Sequence, residues 1–361
     1  MKSELKNQLD DPEEIKKTDV NNIHSSLILL PDQIKQTFND ISHLDLSRIK
    51  REISSLYFCA MGGSAYAGRI IKSLYKSTLK IPVTVVDDYQ LPAAVNNNSL
   101  VICASYSGNT EETLTACGNA VKKKLMIFGV SSGGKLISLL KNNGLKYYRF
   151  NPVFNPSGQP RLGQGYMIIA QLVFLSKLNL IPLNNSNIKK LIGFLSANNK
   201  TLISSAPVSG NSAKQLALIS GKKIINLVSG EFLSGVLHAI RNPVNETGKH
   251  FANYFLLPEL NHHLLEGLKF PVTNKNSLIF IFIESGFFSF GMKKRISLTR
   301  EIVEKENIQT FTIVLNGQDE LEQVFELLQL FSFVSFYLAV LHKVNPAPVP
   351  WVDYFKKHLS G

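Results

Sequence analysis

LVICASYSGNTEETL, residues 100–114, decides the fold. Leu100 to Ala104 reads as a strand, Ser105 to Thr110 as a turn, and Thr110 onward as the start of a helix. The turn brings three hydroxyl residues, a glycine that lets the backbone approach closely, and the free N–H groups of a helix N-terminus to one point. That point lies at the carboxyl end of a strand, where open parallel α/β sheets bind their ligands. The neighbouring segments repeat the scheme. LYFCAM (56–61) leads through Gly62-Gly63-Ser64 into a helix, IPVTVV (81–86) ends in a loop, and LMIFGV (125–130) and KYYRF (146–150) supply further strands. The expected first unit is a doubly wound parallel sheet.

Residues 151–163, NPVFNPSGQPRLG, hold three prolines and form an ordered loop ahead of the helix GYMIIAQLVFLSKL (165–178). The stretch 181–205, rich in Asn, Ser and Lys, reads as one short helix in a polar connection with a domain boundary inside it. KIINLV, an amphipathic segment from Phe232, NYFLLPEL, SLIFIFI, QTFTIVL and a long C-terminal helix then run through the scheme again. Gly63-x-x-x-x-Gly68 and Gly230-x-x-x-x-Gly235 stand at matching places in the two halves. The sequence therefore predicts two related α/β domains. The expected units are an N-terminal helical segment (1–35), a first domain carrying the turn (36–185), a second domain (200–343) and a C-terminal helix (344–361).

The chain has 361 residues, 44% of them hydrophobic and 18% charged, enough for a substantial core and far from the composition of a disordered chain. Its 39 Lys and Arg against 27 Asp and Glu give +12, a balance suited to phosphate-bearing partners. The excess is dispersed. Lys122-Lys123-Lys124 and Lys293-Lys294-Arg295 lack interleaved aromatics, which argues against a nucleic-acid surface. Cys59, Cys103 and Cys117 match no zinc spacing and read as buried free thiols in a reducing compartment. The segment MKSELKNQLDDPEEIKKTD is charged where a signal peptide is apolar. Leu327–Leu341 is uncharged for 15 residues, short of the roughly 20 that cross a bilayer, and reads as a core helix. A cytoplasmic protein without membrane contact is expected.

The turn lacks the lysine of a G-x-x-x-x-G-K-[ST] loop and the spacing of a dinucleotide fold. Hydroxyls and amides alone suit a phosphate monoester, with a sugar phosphate the natural candidate. The ordinary alternative is a Ser/Thr helix cap. A second glycine turn, Gly62-Gly63-Ser64, at the end of the neighbouring strand moves the balance towards a ligand site.

These residues resemble the sugar isomerase (SIS) domains. Pro160-Arg161, NPVNETGKH (242–250), PELNHHLLEG (258–267) and PAPVPWVDYFKK (346–357) further resemble the bifunctional phosphoglucose/phosphomannose isomerases. The first turn departs from that family, reading GGSAYAGR with Arg69 where an acidic residue is common. The resemblance implies that Gly63, Ser64, Ser105, Ser107 and Thr110 hold the phosphate. It implies that Glu246 moves a proton between C1 and C2, that Arg161 stabilises the enediolate, and that His262 and Lys356 assist ring opening. Removing a proton beside a carbonyl needs both a placed carboxylate and a cation near the developing oxyanion, and imidazole suits proton transfer near neutral pH. On residue pattern alone each has a plainer reading: Glu246 a surface carboxylate or cap, Arg161 a brace for the Pro-rich loop, His262 or His263 a helix-start residue, and Lys356 or Lys357 a solvated pair. The implied activity is glucose-6-phosphate/mannose-6-phosphate isomerisation through a cis-enediol in a homodimer with shared sites. The four other histidines considered, His238, His250, His342 and His358, show no metal spacing, so neither a metal nor an organic cofactor is expected. A non-catalytic sugar-phosphate sensor is the alternative, although no DNA-binding segment is evident. An amidotransferase's isomerase half would need a nucleophilic N-terminal cysteine, which Met1-Lys2 does not supply.

Overall fold

The structure, a computed structural model, describes residues 8–46, 49 and 52–359. Its first sheet contains β1 (Ser55–Cys59), β2 (Val83–Val86), β3 (Ser99–Ala104), β4 (Met126–Ser131) and β5 (Lys146–Arg149), ordered β2-β1-β3-β4-β5 and parallel throughout. Every residue of β1 and β3 is buried, as expected for central parallel strands covered on both faces. Cys59 pairs in register with Cys103. Hydrogen bonds from Cys117 and Cys59, together with burial, push the Cys103 thiol up, and all three cysteines are free and buried.

Strand order reverses between β1 and β3, so their carboxyl ends open a crevice at the switch point. The glycine turn after β1 becomes a 3-10 turn, Gly62–Ala65, feeding α4 (Tyr66–Leu74); α5 (Glu111–Lys122) follows β3. Ahead of the sheet, α1 (Pro12–Thr18), α2 (Ile23–Ile28) and α3 (Leu30–Ser42) lie across the molecule. Asp10 receives hydrogen bonds from the fully buried Lys214 and from Val208 N–H, so the N-terminal segment is tied to the second half. The charged residues 1–7 lie outside the described residues.

After α6 (Gly134–Asn142), the Pro-rich loop ends in a 3-10 turn at Pro160–Leu162, and α7 (Gln164–Lys177) packs against α3. Gln33 bridges them, donating to Phe154 O and Leu162 O and accepting from Gly165 N–H. The polar stretch that reads as a connection around one short helix is instead an 18-residue helix, α8 (Asn185–Leu202). Asn184 and Asn187 form a reciprocal cap, and Ile188, Leu191, Leu195 and Leu202 are buried. Its Asn and Lys residues compose mainly the outer face and the cap, which is why the composition imitates a loop.

The second sheet follows α9 (Ser212–Ser220). β6 (Ile224–Gly230), β7 (Ala252–Leu257), β8 (Leu278–Glu284) and β9 (Gln309–Val314) run parallel in the order β7-β6-β8-β9, the first sheet's order without its fifth strand. α10 (Ser234–Glu246) is the counterpart of α4, and the two helices pack together. A Cβ on Gly235 would lie 2.1 Å from the Arg69 carbonyl oxygen, and Gly235 N–H donates to Ser73 Oγ at 3.1 Å. At this sheet's own switch point the Glu231 carboxylate accepts from the N–H and hydroxyl of Ser289, the cap of α11 (Phe290–Lys305).

The uncharged run 327–341 lies within a longer helix, α12 (Glu320–His342), whose 23 residues are long and apolar enough to span a membrane. The sequence estimate of 15 stops at Glu326 and His342, both of which continue the helix. It is a core helix nonetheless: 83% of its most apolar window is buried, and Gln329 and Tyr337 donate to backbone carbonyls of α8. Its apolar side chains are covered within the chain, which leaves this helix little surface to offer a second subunit. The exposed apolar helix is α13 (Pro350–Leu359), none of whose residues is buried; Trp351 is 82% exposed and Phe355 62%.

Candidate active site

The turn after β3 is built from its own side chains. Ser105, 1% exposed, shares a hydrogen bond with the Thr110 hydroxyl at 2.8 Å and accepts from Gly108 N–H at 3.1 Å. Gly108 has φ +72°, and a Cβ there would meet the Gly133 carbonyl oxygen at 1.9 Å, so only glycine fits. Thr110 occupies the N-cap position of α5 but makes no capping bond with its side chain, contrary to the ordinary Ser/Thr cap. Ser107 is exposed at the tip, with Asn109 N–H 3.3 Å from its Oγ. Ser64, from the turn after β1, accepts from Tyr106 N–H at 3.1 Å and joins the two turns into one cradle.

Sequence reasoning missed the support beneath it. Ser132 donates from both its N–H and its hydroxyl to Tyr106 O, and Ser131 Oγ donates to Gly133 O and accepts from Gly133 N–H, so the turn Ser131-Ser132-Gly133-Gly134 is braced on itself and fixes the cradle from behind. The signal was present as a second Ser-Gly cluster at a strand end.

Across the crevice stands Glu246, the last residue of α10. The helix stops there because Thr247 and Gly248 turn their N–H groups back to Pro243 O. Asn245 then exchanges hydrogen bonds with Ala252, seating the helix end on the start of β7. Burial raises the Glu246 carboxyl above its ordinary range, opposed by the charges of Arg161, Lys249, Lys356 and Arg241. It lines a cleft of about 380 Å³ with Arg241, Asn242, Asn245, Phe251, Ala252 and Asn253.

Arg161 is 4% exposed and connects the halves. Its Cα lies 3.5 Å from the position a Gly63 Cβ would take. Nε donates to Thr247 Oγ1 at 2.8 Å, Nη1 to Gln159 Oε1 at 2.8 Å, and Nη2 to the carbonyls of Pro346 and Ala347 at 2.7 and 2.6 Å. These contacts engage most of its donors, so the bracing role is realised and one Nη1 proton remains for a ligand. Burial lowers its pKa, and Glu246, Tyr66 and Asp353 act in the opposite direction.

Lys356 contributes to the field at Glu246, while Asp353 contributes at Arg161. The spacing i, i+3 places Asp353 and Lys356 on one face of α13. Tyr66, two residues beyond Ser64, is fully buried; burial and Glu246 both drive its phenol pKa upward. Arg69, the departure from the family pattern, pairs with Asp87.

His262 stands apart. It ends a 3-10 turn, Glu259–His262, beyond the carboxyl end of β7, and is exposed, as is His263. Glu246 is docked at the opposite end of that strand, whose six residues span about 17 Å. One chain therefore gathers the cradle, Arg161, Glu246 and Lys356 around the crevice and sends His262 elsewhere. Among the described residues no three His, Cys, Asp or Glu side chains form a metal-binding group.

Two parallel sheets of matching strand order, with a hydroxyl-lined switch point in the first and a half-buried carboxylate at the end of the helix after the second sheet's first strand, define a double SIS-domain protein. Residues 51–135 match the SIS domain, and residues 209–359 match the bacterial phospho-glucose isomerase C-terminal SIS domain. The chain is 30% identical to a bifunctional phosphoglucose/phosphomannose isomerase of Caldicellulosiruptor bescii, over 93% of its own length and 98% of the relative's. A protein of the same name from Aquifex aeolicus is 28% identical over 90% and 96%. The crystal structure of a hypothetical protein from Thermus thermophilus superposes with a TM-score of 0.74 at 15% identity, covering 100% of this chain and 95% of that one. The chain belongs to the bifunctional phosphoglucose/phosphomannose isomerase family.

Proposed function

We propose that the chain interconverts fructose 6-phosphate with glucose 6-phosphate and mannose 6-phosphate by proton transfer through a cis-enediol, without metal or organic cofactor. The observation that carries the reading is Glu246: a desolvated carboxylate, its basicity raised, placed among Arg161, Lys249 and Lys356 across the crevice from the cradle. The names of its relatives favour an isomerase over a sensor.

In this mechanism Gly63, Ser64, Ser105, Ser107 and Thr110 hold the ester phosphate, and Glu246 removes the proton at C1 or C2. The raised pKa strengthens it as a base relative to an ordinary carboxylate. Negative charge developing on the enediolate faces the Arg161 guanidinium, and Glu246 returns the proton to the other carbon. Lys356 and His262 move protons during ring opening. Since His262 lies at the far end of β7, it serves the site of a second copy, and the exposed apolar face of α13 supplies surface for that homodimer. The cradle belongs to the unit 36–185, the base to the unit 200–343 and Lys356 to the segment 344–361, with 1–35 as the N-terminal helical segment. A cytoplasmic setting fits three reduced cysteines.

Glu246→Gln keeps the shape and removes the base. Its kcat is expected to fall by about 10²–10⁴-fold with KM little changed. Turnover by the unaltered protein in D₂O with EDTA should place deuterium at C2 of both aldoses. A folded, fully active Glu246→Gln protein removes Glu246 from the reaction; product without deuterium, or loss of activity in EDTA, removes the enediol.

A further inference from the structure

The segment joining α12 to α13 carries prolines at 346, 348 and 350. Proline has no N–H, so this strap cannot complete a helical or sheet ladder and presents mainly carbonyl oxygens. Two cations take them. Arg161 holds Pro346 O and Ala347 O. Lys249 Nζ donates to Pro348 O at 2.5 Å and to Pro346 O at 3.5 Å, and also to the carbonyl of Glu246 itself.

Lys249 is thus more than a lysine at a helix end. A C-terminal lysine ordinarily bonds the last carbonyls of its own helix. This one joins the last carbonyl of α10 to a strap almost a hundred residues further along the chain. Its backbone has φ +49°, the left-handed region in which a non-glycine residue is uncommon. Burial and Arg161 lower its pKa to about 8, with Glu246 acting in the opposite direction, so the ammonium is charged at neutral pH. Beyond the strap, α13 buries none of its residues, yet Lys356 and Asp353 from that helix reach the fields of Glu246 and Arg161. Within its own chain the helix is tethered through the strap and the residues that hold it.

We propose that Lys249 is a positioning residue for isomerisation: by clamping the strap at 346–348 to the carbonyl of Glu246, it fixes α13 so that Lys356 stands over the carboxylate. The catalytic consequence rests on the function proposed above; the clamp itself does not. Phosphate binding is left to the cradle, which Lys249 does not touch.

Trp351, the only tryptophan in the chain, lies on α13 and reports the clamp without any turnover. In Lys249→Met, Trp351 fluorescence anisotropy should fall and protease cleavage within 343–349 should accelerate. kcat should drop, by up to about 10²-fold as expected for a displaced catalytic group, while KM for fructose 6-phosphate stays near its original value. Lys249→Arg, which keeps a cation within reach of the carbonyls, should recover a large part of both signals. Unchanged anisotropy and cleavage in a folded Lys249→Met protein overturn the clamp. Lowered anisotropy with unchanged kcat overturns the positioning role. If Lys249→Met does not fold, Lys249→Gln, neutral but still a donor, decides by the same readings. Should the unaltered protein isomerise nothing, the anisotropy and cleavage results still judge the clamp.

Discussion

Mixing two inactive variants tests the separation of Glu246 and His262 along β7. A general base or acid must come within about 3 Å of the proton it handles, and the strand holds the two residues apart by several times that distance. In a two-fold dimer with crossed sites, each active centre takes Glu246 from one copy and His262 from the other. Glu246→Gln and His262→Ala proteins are each expected to be almost inactive. After full subunit exchange at equal concentration, half of the dimers are hybrids, and each hybrid contains one intact site and one doubly altered site. Activity should therefore recover to about a quarter of that of the unaltered protein, and the recovered fraction should follow the product of the two subunit fractions. The assay is formation of glucose 6-phosphate and mannose 6-phosphate from fructose 6-phosphate, with exchange verified by mass spectrometry of differently tagged copies. Recovery below a few per cent after verified exchange refutes the crossed site.

Three further outcomes follow from other parts of the structure. Ser107→Ala should raise KM for the phosphate ester by the equivalent of about 1.5–3 kcal/mol while the protein stays folded; an unchanged KM would remove Ser107 from phosphate binding. Gly235→Ala forces a Cβ to 2.1 Å from the Arg69 carbonyl oxygen, a backbone atom that cannot rotate away, and should lower stability by about 1–3 kcal/mol in thermal or urea unfolding. Gly193→Ala, with nothing within 4 Å, is the control, and equal melting temperatures for the two variants would contradict the close crossing of α4 and α10. His24 accepts from Ser204 N–H, and burial, with Lys214, lowers its pKa to about 4 from an ordinary 6.5. Its folded pKa is depressed, so its contribution to stability is complete above pH 6.5 and is lost as pH falls towards about 4. His24→Gln keeps an acceptor and should flatten that part of the stability–pH curve; an unaltered curve assigns the loss to other groups.

The strands were legible because central parallel strands are continuous apolar runs, and both glycine turns stand directly at their ends. The cradle followed for the same reason, since Ser105, Ser107 and Thr110 are local to one turn. α8 was misread because Asn184 and the residues after it serve a cap and a solvent face, which share their composition with loops. Arg161 shows the other boundary of sequence reasoning. Its partners Thr247, Pro346 and Ala347 lie 86 to 186 residues away, and nothing in a linear reading brings them together. Lys249 was in plain view within NPVNETGKH, but its partners also depend on the path of the strap. The gap between Glu246 and His262 required knowing that β7 runs straight between them.

Glu231 gives the duplicated architecture an asymmetry. Each half presents a helix N-terminus at its switch point, where backbone N–H groups and the helix dipole attract negative charge. In the first half that place is lined by neutral hydroxyls. In the second, the chain's own carboxylate is already bonded to the N–H and hydroxyl of Ser289 at the head of α11. The second half thus carries a permanent, covalently tethered counter-ion where its twin leaves room for a diffusible one. On the function proposed above, the repeat with this anion built in is the one that carries Glu246.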